Sequence, residues 1–252
     1  MELTILGSGT AVPSTGRSPS SLVVEVDGEP ILFDSGPGTL QRLARADIDC
    51  RKLNRIFYTH FHPDHIADLA SLLFLYRNPD SLRDEKLTVT GPTGFKDFHS
   101  RLQAVYGRWI AAENYELEIA EALNDEIITE RYVVRSREVL HSDCSVGYRV
   151  EDRNGRSLGY LGDTAYCKGI VELGVGADLL VLECSFPDHE EPRDHLTPRT
   201  SGRIAEETGC PILVLTHFYP QCEGVGIVAQ TKKVFSGEVI LARDLMRIQI
   251  NG

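Results

Sequence analysis

The chain lacks the features of a membrane or secreted protein. It has no apolar run near the roughly 20 residues that a membrane span needs. Its start, MELTILGSGT, has neither the basic segment nor the longer apolar segment of a secretory signal. Its six cysteines form no C-x-x-C pair, which argues against a zinc ribbon or a disulfide framework in 252 residues. We therefore expect a cytoplasmic protein with reduced thiols that does not bind membranes.

Basic residues are too few to balance the acidic ones. The chain has 26 Lys and Arg against 37 Asp and Glu, a net charge of −11. Broad, non-specific binding of nucleic acid requires a basic face, so this composition argues against it. A local basic patch remains compatible with the composition. Arg131, Arg135 and Arg137 form one small cluster, although a solvated strand face is the simpler interpretation.

The pattern of strands and helices predicts one layered α/β domain. No fixed-period repeat or low-complexity linker divides the chain, so we expect a single domain over residues 1–252. Short apolar strands come first in each half, among them SLVVEV, DLLVLE and PILVLT, with helices between them. This order predicts two mixed sheets packed face to face with helices outside.

Two helices can be placed from local signals. From Pro63 onward, apolar residues at positions 66, 69, 70, 73 and 76 have the spacing of one amphipathic helix. Thr197 is a suitable N-cap and Pro198 a suitable first residue for a second helix, TPRTSGRIAEET.

The segment YTHFHPDH holds three of the eight histidines, and an aspartate, within six positions. In an extended segment His60 and His62 point to one side. Pro63 ends that segment, and Asp64 and His65 then lie in the first turn of a helix, turned in another direction. One short segment can therefore present two pairs of ligands in two directions, which is what two adjacent metal ions require.

Further polar side chains follow the ends of apolar strands, where ligands collect in layered α/β folds. These are Asp34, His141, Asp163, Glu183 and His217. His60, His62 and His141 could hold one ion, and Asp64, His65 and His217 a second. Asp163 could bridge both, together with a shared water or hydroxide. Imidazole and carboxylate without thiolate suit two divalent ions, Zn²⁺ first, with Mn²⁺ or Fe²⁺ as alternatives.

Asp34, in FDSGPG, stands in the wrong register to bind an ion directly. We expect it to hydrogen-bond a ligand instead. The alternative is an aspartate that caps the turn before Gly36.

At these residues the chain resembles the metallo-β-lactamase-fold hydrolases. THFHPDH resembles the signature of that superfamily, and His141, Asp163 and His217 match its later ligands in order. More narrowly, LGSGTAVPSTGRSPSSL, DHLTPRTSGRIAEETG and LVLTHFYP resemble segments of the ribonuclease Z branch. The resemblance implies a four-layer αβ/βα sandwich with the site at one edge between the sheets, and a homodimer.

His195 and Glu183 match a pair that assists cleavage in the phosphodiesterase branch. There His195 would donate to the phosphate or protonate the departing oxygen, with Glu183 tuning its pKa. Asp64 would hold one metal and orient the nucleophile. The alternatives are a loop histidine in DHEEPRDH and a structural acceptor at the end of a strand.

The chain departs from the tRNA-processing enzymes in one respect. Those enzymes carry a flexible arm between the ligands that match His141 and Asp163, and the arm grips the tRNA. Here 21 residues separate the two positions, enough only for SVGYRV, a turn at DRNG, and SLGYLG. Together with the acidic charge, this argues against cleavage of pre-tRNA by the chain alone.

Several functions are compatible with these residues. The leading hypothesis is a phosphodiesterase that uses a hydroxide activated by two metal ions on a small or cyclic phosphodiester or a short RNA. The alternative is a ribonuclease Z-type endonuclease that processes the 3′ end of tRNA. Further alternatives are a thioester or lactam hydrolase and a non-catalytic metal-binding protein.

Overall fold

The computed structural model describes residues 1–78, 83–190 and 192–251. Two sheets of seven strands each form the centre of the fold. The first sheet contains β1 (Glu2–Gly7), β2 (Ser21–Val26), β3 (Glu29–Phe33), β4 (Arg55–Phe57), β5 (Leu87–Gly91), β6 (Leu117–Glu121) and β14 (Met246–Gln249). The second contains β7 (Glu126–Ile128), β8 (Tyr132–Val139), β9 (Ser145–Asp152), β10 (Ser157–Tyr160), β11 (Leu179–Glu183), β12 (Ile212–Thr216) and β13 (Glu238–Leu241).

The helices are short. They are α1 (Thr39–Arg45), α2 (Pro63–Ile66), α3 (Leu69–Leu75), α4 (Phe95–Tyr106), α5 (Lys168–Gly174), α6 (Pro198–Thr208) and α7 (Ile227–Thr231). Single 3₁₀ turns lie at Cys50–Lys52, Gly107–Ile110 and Pro220–Cys222. Among the residues described, no helix has the length and apolar character to cross a membrane.

Both sheets are mixed, as predicted. The first has the order β14-β1-β2-β3-β4-β5-β6, antiparallel up to β3 and parallel from β3 onward. The second has the order β13-β12-β11-β10-β9-β8-β7, parallel up to β10 and antiparallel beyond it. Because parallel strands end at the same edge, the residues after β3, β4, β10, β11 and β12 are brought towards one side of the fold.

Three apolar clusters hold the layers together. The central cluster joins the inner faces of the two sheets and includes Leu3, Phe33, Tyr148 and Val181. A second cluster packs α1, α3 and α4 against the first sheet, and a third packs α5, α6 and α7 against the second. The layers therefore follow the order helix, sheet, sheet, helix, which confirms the predicted four-layer αβ/βα sandwich.

The prediction of one helix from Pro63 to position 76 is wrong. The segment forms α2 and α3, separated at Asp68. The backbone N–H of Asp68 donates to Ser35 O at 2.9 Å, and its carboxylate accepts from the N–H groups of Gly38 and Leu40. Asp68 therefore links this segment to the start of α1 and interrupts the helical hydrogen-bond pattern. By contrast, α6 begins as predicted, with Thr197 and Thr200 forming a reciprocal capping box.

Candidate metal centre

The structure brings the polar side chains from the strand ends together at one edge of the sandwich. The first group of potential ligands consists of His60, His62, His141 and Asp163, whose ligand atoms all lie within 4.8 Å of one another. His141 Nε2 is 3.2 Å from His62 Nδ1. Two ligands bound tetrahedrally to one Zn²⁺ at about 2.1 Å lie about 3.4 Å apart, so this spacing fits a shared ion.

A second group of potential ligands lies beside the first. It consists of Asp64, His65 and His217, again within 4.8 Å of one another. His217 Nε2 lies 3.3 Å from His65 Nε2 and 3.5 Å from Asp64 Oδ2. The pairs His60 and His62, and Asp64 and His65, are therefore divided between the two groups in the way the motif predicts.

Asp163 faces both groups through one oxygen. Its Oδ2 lies 3.3 Å from His217 Nε2 and 3.4 Å from His65 Nε2 in the second group. The same atom lies 3.8 Å from His141 Nε2 and 3.9 Å from His60 Nε2 in the first. A single carboxylate oxygen surrounded by four imidazole nitrogens has the placement of a bridging ligand.

The protonation of His60, His62 and Asp163 suits cation binding. Burial lowers the pKa of His60 well below its usual value, and burial also lowers the pKa of His62, so both rings are neutral and can ligate. Burial of Asp163 favours its neutral form, but the neighbouring His217 and His65 outweigh this and hold its pKa well below the usual value. His60 Nε2 is buried and has no hydrogen-bond partner among the described residues. A buried nitrogen of this kind needs a partner, and a divalent ion between the ligands would supply it.

A hydrogen bond to Asp34 fixes the orientation of the His65 ring. His65 donates from Nδ1 to Asp34 Oδ2 at 2.8 Å, which leaves His65 Nε2 facing the cleft. The same oxygen accepts from the hydroxyls of Thr59 at 2.9 Å and Tyr160 at 2.7 Å. The hydrogen bond expected at Asp34 is therefore present, with His65 as its donor. Asp34 has a left-handed backbone with φ of 55°, a conformation that aspartate tolerates better than most residues.

Glu183 holds His195 beside the potential metal ligands. His195 Nδ1 lies 3.0 Å from both carboxylate oxygens of Glu183, and the backbone N–H of Thr164 donates to Glu183 Oε1 at 2.7 Å. Burial alone would lower the pKa of His195, but the hydrogen bond and the charge of Glu183 raise it to about 9. A ligand atom of His195 lies within 4.8 Å of those of Asp163 and His217, so this imidazolium borders the second ligand group.

Comparisons with known proteins agree with this geometry. The family model of the beta-lactamase superfamily domain matches residues 30–218. The chain belongs to the beta-lactamase superfamily. Ribonuclease Z of Streptomyces avermitilis is 30% identical over 300 aligned positions, which cover 99% of this chain and 97% of the relative. Since the superfamily match is joined by a His and Asp cluster that fits metal, the chain is a metal-dependent hydrolase.

Solved structures of the superfamily have the same fold. The short form of human tRNase Z has a TM-score of 0.81 and 29% identity, with 100% of both chains covered. The metallo-β-lactamase fold protein YhfI of Bacillus subtilis has a TM-score of 0.85 and 23% identity, with 98% of both chains covered.

Several side chains that shape this superfamily site were missed from the sequence. Ser185 lies between Glu183 and His217, donating to the Glu183 carboxylate and contacting His217 Nδ1 at 2.9 Å. Phe186 and Tyr219 stack with ring centroids 4.9 Å apart, and both rings border His195. Thr59 and Tyr160 were missed as well. Each is an ordinary hydroxyl or aromatic residue whose partner is distant in sequence, so no local pattern marks it.

Proposed function

We propose that the chain is a phosphodiesterase with two metal ions that cleaves a small or cyclic phosphodiester or a short RNA. The observation that carries the proposal is the position of His195. Glu183 holds this cationic imidazole within reach of both Asp163 and His217. A proton donor beside a pair of cation sites suits a reaction in which a phosphate gains charge and an oxygen departs.

We assign the ligands as the sequence predicts. His60, His62 and His141 hold one ion, Asp64, His65 and His217 hold the other, and Asp163 bridges the pair. Zn²⁺ is the first candidate because the donors are nitrogen and oxygen, with Mn²⁺ and Fe²⁺ as alternatives. When bound, such ions lower the pKa of water to about 7 and neutralise the oxygens of a phosphodiester.

The side chains of the chain supply orientation and the proton. Asp64 Oδ2, 3.5 Å from His217 Nε2, faces the cleft and orients the attacking water. His195, with a pKa raised to about 9 by Glu183, carries its proton at neutral pH. It donates from Nε2 to the phosphate or to the departing oxygen. Phe186 and Tyr219 form an aromatic wall beside it, against which an aryl group or a base of the substrate stacks.

Processing of the 3′ end of tRNA is the second candidate, favoured by the relatives named ribonuclease Z. Two observations weigh against it. Only 21 residues separate His141 from Asp163. The alignment with the Streptomyces relative extends over 300 positions, although this chain has 252 residues, so the relative carries insertions that this chain lacks.

The deciding experiment is a substrate panel on protein whose metal content has been measured. Bis(p-nitrophenyl) phosphate, a 3′-extended pre-tRNA, a thioester and a lactam are each incubated with the same preparation, with and without chelator. We expect metal-dependent turnover of the phosphodiester. Cleavage of the pre-tRNA at its 3′ end would favour the second candidate. Turnover of only the thioester or lactam, or no turnover with both ions bound, would contradict the proposal.

We propose that residues 1–252 act as one domain. We also propose that the chain forms a homodimer. The aromatic side chains of Phe74, Tyr106 and Trp109 lie together on the helical face and are about half exposed, from 46% to 54%. Such a face is suited to burial against a second copy. Analytical ultracentrifugation of the wild type and of Trp109→Glu tests this, since a monomeric wild type would contradict it.

A further inference from the structure

A large cleft of the described chain lies far from the metal centre. It has a volume of about 930 Å³ and is lined by the starts of β3 and β4 in one sheet and by turns of the other sheet. We call it the basal cleft and define it by Lys52, Arg55, Arg83, Arg131 and Arg153. None of these residues belongs to the site described above.

The basal cleft and the metal centre occupy opposite ends of the sandwich. Strand β4 starts at Arg55 and leads to His60, and β8 starts just after Arg131 and leads to His141. Strand β8 has eight residues. At about 3.3 Å per residue, a strand of this length separates its ends by roughly 25 Å. A small ligand bound in the basal cleft therefore does not reach the metal ligands.

The basal cleft is positively charged although the chain is acidic. Six basic and four acidic side chains line it, whereas the whole chain has a net charge of −11. Two of the basic residues are neutralised locally. Arg51 forms a two-pronged pair with Asp49, and Arg131 lies 3.5 Å from Glu29. The remaining cations determine what the cleft can bind.

Arg83 is the most informative of these cations. It is only 2% exposed, and its guanidinium donates to the backbone oxygens of Arg51, Glu85 and Lys86 and to the side-chain oxygen of Asn54. All of these acceptors are neutral, and the guanidinium also lies 5.2 Å from the ring centroid of Tyr76 and 5.9 Å from that of Tyr115. Because its donors are taken up by these acceptors, Arg83 contributes positive charge to the basal cleft rather than a free donor.

Three further cations border the same space and form no close ion pair in the described part of the chain, although the charge of Lys52 acts on Asp49 and that of Arg55 on Glu118. Lys52 and Arg153 are exposed, and Arg153 donates only to the backbone oxygens of Thr129 and Glu130. Arg55 is half-buried and lies beside the hydroxyl of Tyr132. Cations from both sheets thus face one opening.

We propose that the basal cleft is a second binding site, for a phosphate-bearing anion. A guanidinium presents donors in a planar fork that matches phosphate, and lysine adds a mobile charge. A volume of about 930 Å³ is within the usual range for small-ligand sites. The phosphate belongs either to a small polyanion or to the backbone of an RNA strand. The inference does not depend on the proposed function, because it rests on residues at the other end of the fold.

The test is calorimetric titration of the metal-loaded protein with inorganic pyrophosphate and, separately, with a ten-nucleotide RNA. The variant is Lys52→Glu with Arg55→Glu, and the matched control is Lys96→Glu with Arg101→Glu, two exposed cations of α4. The two double variants change the net charge equally. We expect the cleft variant to weaken binding at least about tenfold and the control to change it less than about twofold.

The outcomes distinguish a small polyanion from an RNA backbone as the ligand. They also distinguish binding at the basal cleft from turnover at the metal centre. Loss of pyrophosphate binding assigns the site to a small polyanion, and loss of RNA binding alone assigns it to a backbone. Turnover of bis(p-nitrophenyl) phosphate should stay unchanged in the cleft variant. Absence of a second binding event beside that of the metal centre, equal loss of this event in the control, or its survival with both ligands in the cleft variant would overturn the proposal. If the first variant does not fold, Lys52→Glu with Arg153→Glu replaces it.

Discussion

His65 and Asp34 are 31 residues apart in sequence, yet a hydrogen bond of 2.8 Å joins His65 Nδ1 to Asp34 Oδ2 beneath the metal centre. The same carboxylate oxygen accepts hydrogen bonds from the hydroxyls of Thr59 and Tyr160. The ring of His65 is therefore held in one orientation, with Nε2 directed at the second group of potential ligands.

Replacing Asp34 by Asn should weaken the second metal site without unfolding the protein. The amide keeps the size of the side chain but loses the charge that stabilises the donor at His65 Nδ1. We expect affinity for the second ion to fall about 10- to 100-fold. Metal content measured against free-ion concentration checks this. Tyr160→Phe removes only one donor to Asp34 and should have a smaller effect.

Removing Asp163 should affect both ions at once. Its Oδ2 faces imidazole nitrogens of both ligand groups. We expect Asp163→Ala to bind less than one ion per chain and to lose most of its turnover. Elemental analysis after dialysis measures the first effect. Asp97→Ala, at an exposed position on α4, is the matched control, and full retention of two ions in Asp163→Ala would refute the bridging role.

His195→Ala should reduce turnover while the ions remain bound. A positioned proton donor contributes about 100- to 10,000-fold to a rate. The loss should be larger for a phosphodiester with an alkyl leaving group than for bis(p-nitrophenyl) phosphate, because nitrophenolate departs without a proton. Turnover of both substrates and metal content are measured on the same preparation. An unchanged rate with both substrates would reject the role of His195.

The pH dependence of turnover should reveal the contact between Glu183 and His195. Glu183 raises the pKa of His195 to about 9, so the required proton is present below that pH and lost above it. The wild-type rate should therefore fall as pH rises through about 9. Glu183→Gln removes the charge and should move this decline to lower pH. The decline should be missing in His195→Ala, and an identical profile in Glu183→Gln would contradict the assignment.

The convergence of the predicted ligand side chains could be anticipated from sequence more fully than the residues that support them. HFHPDH encodes the divided ligand pairs through an extended segment followed by a proline-started helix, which is local geometry. The roles of Thr59, Tyr160 and Ser185 depend on partners brought close only by the fold. The break between α2 and α3 has the same cause. The apolar spacing of this segment continues past Asp68. The backbone N–H of Asp68, however, donates to the carbonyl oxygen of Ser35.

The pairing of β14 with β1 constrains when the protein can fold. Leu3 lies opposite Ile248, so the edge of the first sheet joins segments almost a whole chain length apart. Contacts of such long range form slowly and late. During synthesis, this edge of β1 stays unpaired until β14 has been translated. In that interval the exposed edge can associate with other chains.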